Sequence, residues 1–136
     1  MILIDSSAWI EYYRPVGDPA TAELVERALQ NDEAAINGLI LVEVEGFARD
    51  EDEQRMIRED FGGCHFLPLA DTVFRDAAGI AFDARRKGLP IPATDCIIAA
   101  SAIASQASLV HRDKHFREIA KFSSLDQSSS LAAGGG

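Results

Sequence analysis

Short apolar runs alternate with longer amphipathic stretches along the 136-residue chain. The short runs predict buried β-strands, and the longer stretches, where apolar residues recur at helical spacing, predict the helices between them. The predicted strands cover residues 1–5, 33–37, 64–67 and 108–110, with residues 122–125 as a candidate fifth. This alternation predicts an α/β fold, in which a parallel sheet is covered by helices on both faces.

The predicted helices cover residues 6–13, 20–30, 39–49, 51–60, 72–87, 95–105 and 114–121. Ser6 or Ser7 is expected to cap the first helix and Thr94 the sixth, because hydroxyl oxygens accept hydrogen bonds from free backbone N–H groups. From Asp126 onward the chain is mostly Ser, Ala and Gly. We therefore predict one folded domain over residues 1–125 and a disordered tail over residues 126–136.

Four carboxylates lie beside apolar runs. Asp5 closes the first strand, Glu43 lies inside an apolar helix, Asp95 opens the sixth helix, and Asp113 follows the fourth strand by three residues. A carboxylate in apolar surroundings is costly unless it is paired or binds a metal. Sites in parallel sheets form beyond the carboxyl ends of the strands, so the four side chains are expected to converge there.

Three of these acids also have simpler interpretations. Asp5 can cap the first helix, Asp95 can interact with the dipole of the sixth helix, and Asp113 can belong to an ordinary turn. Glu43 is harder to explain without a partner. His111 and His115 flank Asp113, and we expect them at the surface or around the site rather than in catalysis.

A cluster of carboxylate oxygens without nearby thiolates favours Mg²⁺ over Zn²⁺. Such an ion activates water and stabilises charge on a phosphoryl group, which points to phosphodiester hydrolysis. A receiver domain of a response regulator, which also binds Mg²⁺ through acids, is an alternative. It needs adjacent acids after the first strand and a Lys at the end of the last, whereas Ser6 and Ser7 follow Asp5.

The net charge of −9 is unevenly distributed: residues 1–60 carry −10 and residues 61–136 carry +1. An acidic chain is a poor non-specific binder of nucleic acid, but basic residues of the second half can form a local phosphate-facing rim or simply a solvated face. They are Arg85, Arg86, Lys87, Arg112, Lys114 and Arg117, of which the last three are the candidates for RNA contact. No apolar run is long enough to span a membrane, and two isolated cysteines suggest free thiols in a reducing cytoplasm.

The segments around the four acids resemble the motifs of PIN-domain nucleases, in the same order along the chain. They are ILIDSSAWI at residues 2–10, GLILVEV at 38–44, PATDCIIAA at 92–100 and VHRDKHF at 110–116. The resemblance covers about the first 125 residues and is greatest to the VapC toxins of type II toxin–antitoxin systems. It implies a Rossmann-like three-layer α/β/α sandwich with a four- or five-stranded parallel sheet.

The resemblance also implies an Mg²⁺- or Mn²⁺-dependent endoribonuclease that forms a homodimer and is inhibited by a small VapB-type antitoxin. By position, the acids that hold the metal are Asp5, Glu43, Asp95 and Asp113, with Ser6 as a supporting polar residue. Gly46 follows Glu43 by three residues, where the family often has four, so Glu45 is a second candidate.

An antitoxin could lie against apolar helices in the N-terminal half and insert an Arg toward Asp5 and Asp95. The residues considered for this groove are Trp9, Ile10, Leu24, Val25 and Leu41. The simpler interpretation is that most of them fill the core.

Overall fold

A parallel sheet forms the centre of the molecule. The computed structural model describes residues 1–130, and these contain strands β1 (Ile2–Ile4), β2 (Ala34–Ile36), β3 (His65–Phe66), β4 (Ser108–His111) and β5 (Gln127–Ser129). All strand pairs are parallel, and the order is β3-β2-β1-β4-β5. This is the order of the first five strands of a Rossmann fold.

Seven helices within residues 1–130 connect these strands. They are α1 (Ser6–Tyr13), α2 (Pro19–Gln30), α3 (Gly38–Glu45), α4 (Glu51–Gly62), α5 (Asp71–Arg86), α6 (Ala93–Ala104) and α7 (Lys114–Ala120). The chain runs outward from β1 to β3 and then crosses back to β4 and β5. Right-handed crossovers therefore place α1–α4 on one face and α5–α7 on the other. The predicted three-layer α/β/α sandwich is confirmed.

The strand order does not favour the receiver-domain alternative. Receiver domains have the flavodoxin-like order 2-1-3-4-5, whereas β1 lies between β2 and β4 here. The last described strand, Gln127–Ser129, also contains no Lys.

The prediction for the end of the domain is wrong. The fifth strand is Gln127–Ser129, not residues 122–125, and it pairs with β4. Its small polar residues carry no apolar alternation because β5 forms the edge of the described sheet. Asp126 accepts a hydrogen bond from Ser108, and Ser130 donates one to Asp18. Residues 126–130 are therefore structured, and the remainder of the predicted tail, residues 131–136, lies outside the described residues.

Two predicted helix caps are also wrong. Asp5, not Ser6 or Ser7, is the N-cap of α1, and its side chain accepts a hydrogen bond from the backbone N–H of Ser7. Pro92, not Thr94, precedes α6, where no side chain makes a capping hydrogen bond. In addition, α3 ends at Glu45 rather than at residue 49.

The core lies on both faces of the sheet and includes the strand residues Leu3, Ile4, Ile36 and Leu109, all of which are fully buried. Trp9 on α1 is also fully buried and makes an edge contact with the ring of Phe61. Within residues 1–130, no helix is long and apolar enough to cross a membrane.

Asn37 connects the two helical layers at the end of β2. Its Oδ1 accepts a hydrogen bond from the backbone N–H of Ile40 (3.0 Å), and its Nδ2 donates to Oγ of Ser101 on α6 (3.2 Å). The side chain is fully buried. It therefore both starts α3 and fixes α3 relative to α6.

We expect Asn37→Ala to lower the free energy of unfolding by about 2 kcal/mol, because it removes a helix cap and leaves buried groups unpaired. Urea unfolding followed by circular dichroism measures this change. Asn31→Ala, at an exposed position after α2, is the control and should change stability by less than about 0.5 kcal/mol. Equal effects of the two substitutions would contradict this role of Asn37.

Candidate active site

Two of the four predicted acids lie at the ends of neighbouring strands. Asp5 directly follows β1, and Asp113 lies two residues beyond the end of β4. Each also caps the helix that follows: Asp5 accepts from the N–H of Ser7 (3.0 Å) and Asp113 from that of His115 (2.9 Å). Both carboxylates are therefore held at the carboxyl edge of the sheet. They lie beside β1, from which the strand order runs to β2 and β3 on one side and to β4 and β5 on the other.

The other two acids reach the same place from helices. Glu43 lies on α3, which follows β2, and Asp95 lies in the first turn of α6. The charges of Glu43 and Asp113 both raise the pKa of Asp5, and those of Asp113, Asp5 and Glu43 all raise the pKa of Asp95. The four predicted acids thus lie close enough to influence one another electrostatically. Among the described residues, the ligand atoms that all lie within 4.8 Å of one another belong to Asp95, Asp113 and His115, and this group does not include Asp5 or Glu43.

Burial is the main cause of the altered protonation in this cluster. Asp5 is only 2% exposed, and burial raises its pKa from 3.8 to about 6, although hydrogen bonds from Ser7 oppose the rise. Burial, followed by the charge and hydrogen bond of Asp113, raises the pKa of Asp95 to about 8. Burial also raises the pKa of Glu43, and a hydrogen bond from Ser6 lowers it. The ionised forms of these acids are therefore disfavoured unless a positive charge binds beside them.

The oxygen atoms of the cluster fit a divalent cation. Oδ1 of Asp5 and Oε1 of Glu43 are buried without a hydrogen-bond partner among the described residues. Leaving such acceptors unpaired is costly, and a bound cation would remove that cost. The donors are mainly carboxylate oxygens, the ligands that Mg²⁺ and Mn²⁺ prefer.

Ser7, which the sequence did not single out for the site, orients Asp5. Its hydroxyl donates to Oδ2 of Asp5 and accepts from the backbone N–H of Arg112 (2.9 Å). Ser7 therefore joins the segments that follow β1 and β4. Ser6, the residue implied by the resemblance, interacts with Glu43 instead. Two adjacent hydroxyls after a strand-ending Asp were visible in the sequence, but not which one contacts which acid.

His115 contacts two of the acids, in agreement with the expectation that it lies at the surface or around the site. Its Nδ1 is 3.0 Å from Oδ2 of Asp95 and 2.9 Å from Oδ1 of Asp113. His111 is not at the surface: it is fully buried, and its Nε2 is 2.6 Å from Oε1 of Gln127. The sequence feature that indicates the position of His115 is its place two residues after Asp113, in the first turn of α7.

The three basic residues predicted at the rim differ in availability. A terminal nitrogen of Arg112 donates to Oε1 of Glu11 at 3.3 Å. Lys114 is exposed at the first position of α7, and Arg117 is partly buried on the same helix. Lys114 is therefore the most accessible of the three.

Glu45, the second candidate for the Glu43 position, forms an ion pair with Arg58.

Beside Glu43 lies a groove of about 280 Å³ between α1, α3 and α4, which is lined by the apolar residues Ile10, Tyr13, Val44, Phe47 and Ile57. Ile10 and Phe47 are 45% and 78% exposed. Of the apolar residues suggested from the sequence, Trp9 and Val25 are fully buried and cannot line a groove.

We expect the metal-free protein to lose stability as pH rises from 6.5 to 8. Asp95 has a higher pKa in the folded state than in the unfolded state, so at pH 6.5 the folded state binds a proton that the unfolded state has already lost. This proton favours folding, and the contribution falls as the pH approaches about 8 and the folded carboxyl group ionises. The loss should be on the order of 1–2 kcal/mol. His111, whose pKa is lowered from 6.5 by burial, changes protonation below this range.

Urea unfolding in EDTA at pH 6.5 and pH 8 measures this loss, and Asp95→Asn should remove most of it. A pH dependence that Asp95→Asn leaves unchanged would contradict the assignment to this carboxyl group.

The comparisons with known proteins agree with this fold. The family model of the PIN domain matches residues 2–122. Ribonuclease VapC11 of Mycobacterium tuberculosis is 40% identical over 134 residues, which cover 95% of this chain and 98% of that relative.

Solved structures show the same architecture. VapBC2 from Rickettsia felis, bound to a DNA fragment from its promoter, matches with a TM-score of 0.72 and 17% identity over 96% of this chain and all of that chain. FitAcB from Neisseria gonorrhoeae matches with a TM-score of 0.72 and 20% identity over 93% of this chain and 96% of that chain. With the family model covering nearly all of the described residues and the relative matching almost end to end, this chain belongs to the PIN-domain family and to its VapC group.

Proposed function

We propose that this chain is an endoribonuclease that depends on Mg²⁺ or Mn²⁺ and acts as the toxin of a VapBC-type toxin–antitoxin pair. The observation that carries the proposal is the cluster of Asp5, Glu43, Asp95 and Asp113, with two buried oxygen atoms that have no partner among the described residues. The name of the relative from M. tuberculosis supports the ribonuclease activity.

In this proposal the four acids hold the cation, and the other residues orient them. A divalent ion bound there supplies positive charge for the phosphoryl oxygens and lowers the pKa of water, so that hydrolysis proceeds at neutral pH. Ser7 fixes the rotamer of Asp5, and Ser6 holds Glu43. We assign a phosphate contact with the RNA to Lys114, and its exposure one residue after Asp113 supports this role. Arg112 and Arg117 are weaker candidates for such contacts.

We place the antitoxin in the apolar groove between α1, α3 and α4. A VapB-type protein can lay an amphipathic helix against Ile10, Val44 and Phe47, and Glu43 at the same groove borders the acids. An Arg from the antitoxin would then pair with the carboxylates and compete with the metal. We further propose that the chain forms a homodimer and acts in the cytoplasm, without a membrane partner.

Incubation of the purified chain with a mixed RNA pool tests the nuclease proposal. We expect cleavage in Mg²⁺ or Mn²⁺, with products that carry no 2′,3′-cyclic phosphate, because water, rather than the 2′-hydroxyl of the RNA, attacks the phosphorus. Products with 2′,3′-cyclic phosphates would contradict metal-assisted hydrolysis. The absence of cleavage in either ion, together with labelling by acetyl phosphate, would instead support the receiver alternative.

A further inference from the structure

Within residues 1–130, one group of side chains could hold a metal ion, and it consists of Asp95, Asp113 and His115. The imidazole of His115 is the nitrogen ligand in this group. We propose that His115 supplies a nitrogen ligand to the divalent cation and makes the site prefer Mn²⁺ to Mg²⁺. This inference rests on the proposed function, since it needs a cation at the four acids.

The distances around His115 match those between ligands of one ion. Its Nδ1 is 3.0 Å from Oδ2 of Asp95 and 2.9 Å from Oδ1 of Asp113. Adjacent ligands of an octahedral ion, bound at about 2.1 Å, are about 3.0 Å apart. The ligand atoms of the three residues also all lie within 4.8 Å of one another. One cation can therefore contact all three without a large movement of the side chains.

His111, the other histidine beside Asp113, is engaged differently. Its Nδ1 accepts a hydrogen bond from the backbone N–H of Asp113 (3.0 Å), and its Nε2 faces Oε1 of Gln127 (2.6 Å). Both ring nitrogens are thus used in holding the segment after β4 against β5. His111 positions the backbone of Asp113, whereas His115 presents its nitrogen to the carboxylates.

A second observation points independently to a cation at this place. Asp5 is 2% exposed, and its Oδ1, buried without a partner among the described residues, belongs to a carboxylate whose neighbours are Glu43 and Asp113. An acid surrounded by acids requires a positive charge or a proton. The alternative for His115 is that it only donates a hydrogen bond to these carboxylates, since such bonds have similar lengths.

The two roles of His115 predict different metal preferences. Mg²⁺ is a hard ion that binds oxygen ligands almost exclusively, so a nitrogen in its first shell is unfavourable. Mn²⁺ belongs to the transition series and binds nitrogen more readily than Mg²⁺ does. In His115→Asn an amide oxygen replaces the nitrogen at a similar distance from the backbone. If His115 is a ligand, the ratio of Mn²⁺ to Mg²⁺ affinity should fall in this variant, whereas the loss of a hydrogen bond alone should weaken the binding of both ions alike.

Pulsed electron paramagnetic resonance of Mn²⁺ bound to the full, untagged chain tests the ligand directly. We expect coupling of the manganese spin to an imidazole nitrogen, which changes when the histidines are labelled with ¹⁵N. The coupling should be lost in His115→Asn while Mn²⁺ remains bound. His65→Ala, which removes a partly exposed histidine on β3, is the matched control and should keep the coupling. Calorimetric titration with each ion gives the affinity ratio.

Bound Mn²⁺ without nitrogen coupling in the wild-type chain would overturn the proposal for His115 and leave the metal-dependent nuclease intact. A coupling that persists in His115→Asn would overturn it in the same way. No binding of Mn²⁺ at millimolar concentration would overturn both this inference and the proposed metal centre. The absence of coupling in the wild-type chain is decisive without any variant. A coupling that is present is assigned to His115 by its loss in His115→Asn, or in His115→Gln if the Asn variant does not fold.

Discussion

Asp5→Asn should lower the rate of RNA cleavage at least about a hundredfold, since even residues that only support metal ligands contribute about 10- to 100-fold. The fold should remain as stable as that of the wild-type chain or become more stable. Asn keeps the cap of α1, because its side-chain oxygen can still accept from the N–H of Ser7. It also removes a buried charge that Glu43 and Asp113 repel.

The matched control is Asp76→Asn, which makes the same chemical change at an exposed position on α5. It should leave cleavage unchanged. Cleavage is measured by the initial rate on one RNA substrate at saturating Mg²⁺, and stability by urea unfolding of the same samples. Full activity in Asp5→Asn would remove Asp5 from the metal centre, and a large loss of stability would show that its effect on activity is structural.

Mg²⁺ or Mn²⁺ should stabilise the folded chain. A cation that binds only the folded state, present at a hundredfold excess over its dissociation constant, adds about 2.7 kcal/mol to the free energy of unfolding. The gain should be larger at pH 8 than at pH 6.5, because protons compete for Asp95, whose pKa burial raises to about 8. Urea unfolding with and without the ion measures both effects.

The double variant Asp5→Asn/Asp95→Asn should lose most of this stabilisation. Asp76→Asn/Asp83→Asn makes the same two chemical changes on the exposed side of α5 and should keep the stabilisation. If the two double variants responded alike, the ion would be acting through overall charge rather than through the acidic cluster.

The apolar pattern was enough to predict most of the architecture. Buried strands such as β1 and β4 are short apolar runs, and their alternation with helices defines the parallel sheet. The pattern failed at β5, whose residues Gln127–Ser129 are polar and whose pairing depends on β4 rather than on its own composition. The apolar residue Leu125 is buried in the core without being part of a strand, and its burial is the reason that the pattern at residues 122–125 resembles a strand.

The sequence placed the four acids near the carboxyl edge of the sheet but did not show how they are held. For Asp5 the simpler interpretation as a helix cap and the interpretation as a site residue apply together. Asp113, for which the simpler interpretation is a turn, likewise caps a helix while its carboxylate lies beside the other acids. A cap fixes the side chain at a helix N-terminus, and this local structure gives the acid a defined position without additional contacts.

The contacts that the sequence could not give are those between distant segments. Ser7 is bonded to Arg112 across 105 residues, and His115 contacts Asp95 across 20. Spacing along the chain predicts which residues share a helix face or follow a strand. It does not predict which of Ser6 and Ser7 turns toward Asp5, because that choice depends on the position of β4 beside β1.

The most direct test of the metal-dependent nuclease is a titration of the metal-free chain with Mg²⁺, in which RNA cleavage and stability are followed together. We expect no cleavage in EDTA and a rate that rises with the same half-saturation concentration as the stabilisation of the fold. Both responses should be absent in Asp5→Asn/Asp95→Asn. Cleavage that continues at the full rate in EDTA, or that is unchanged in this double variant, would contradict a catalytic centre built on these four acids.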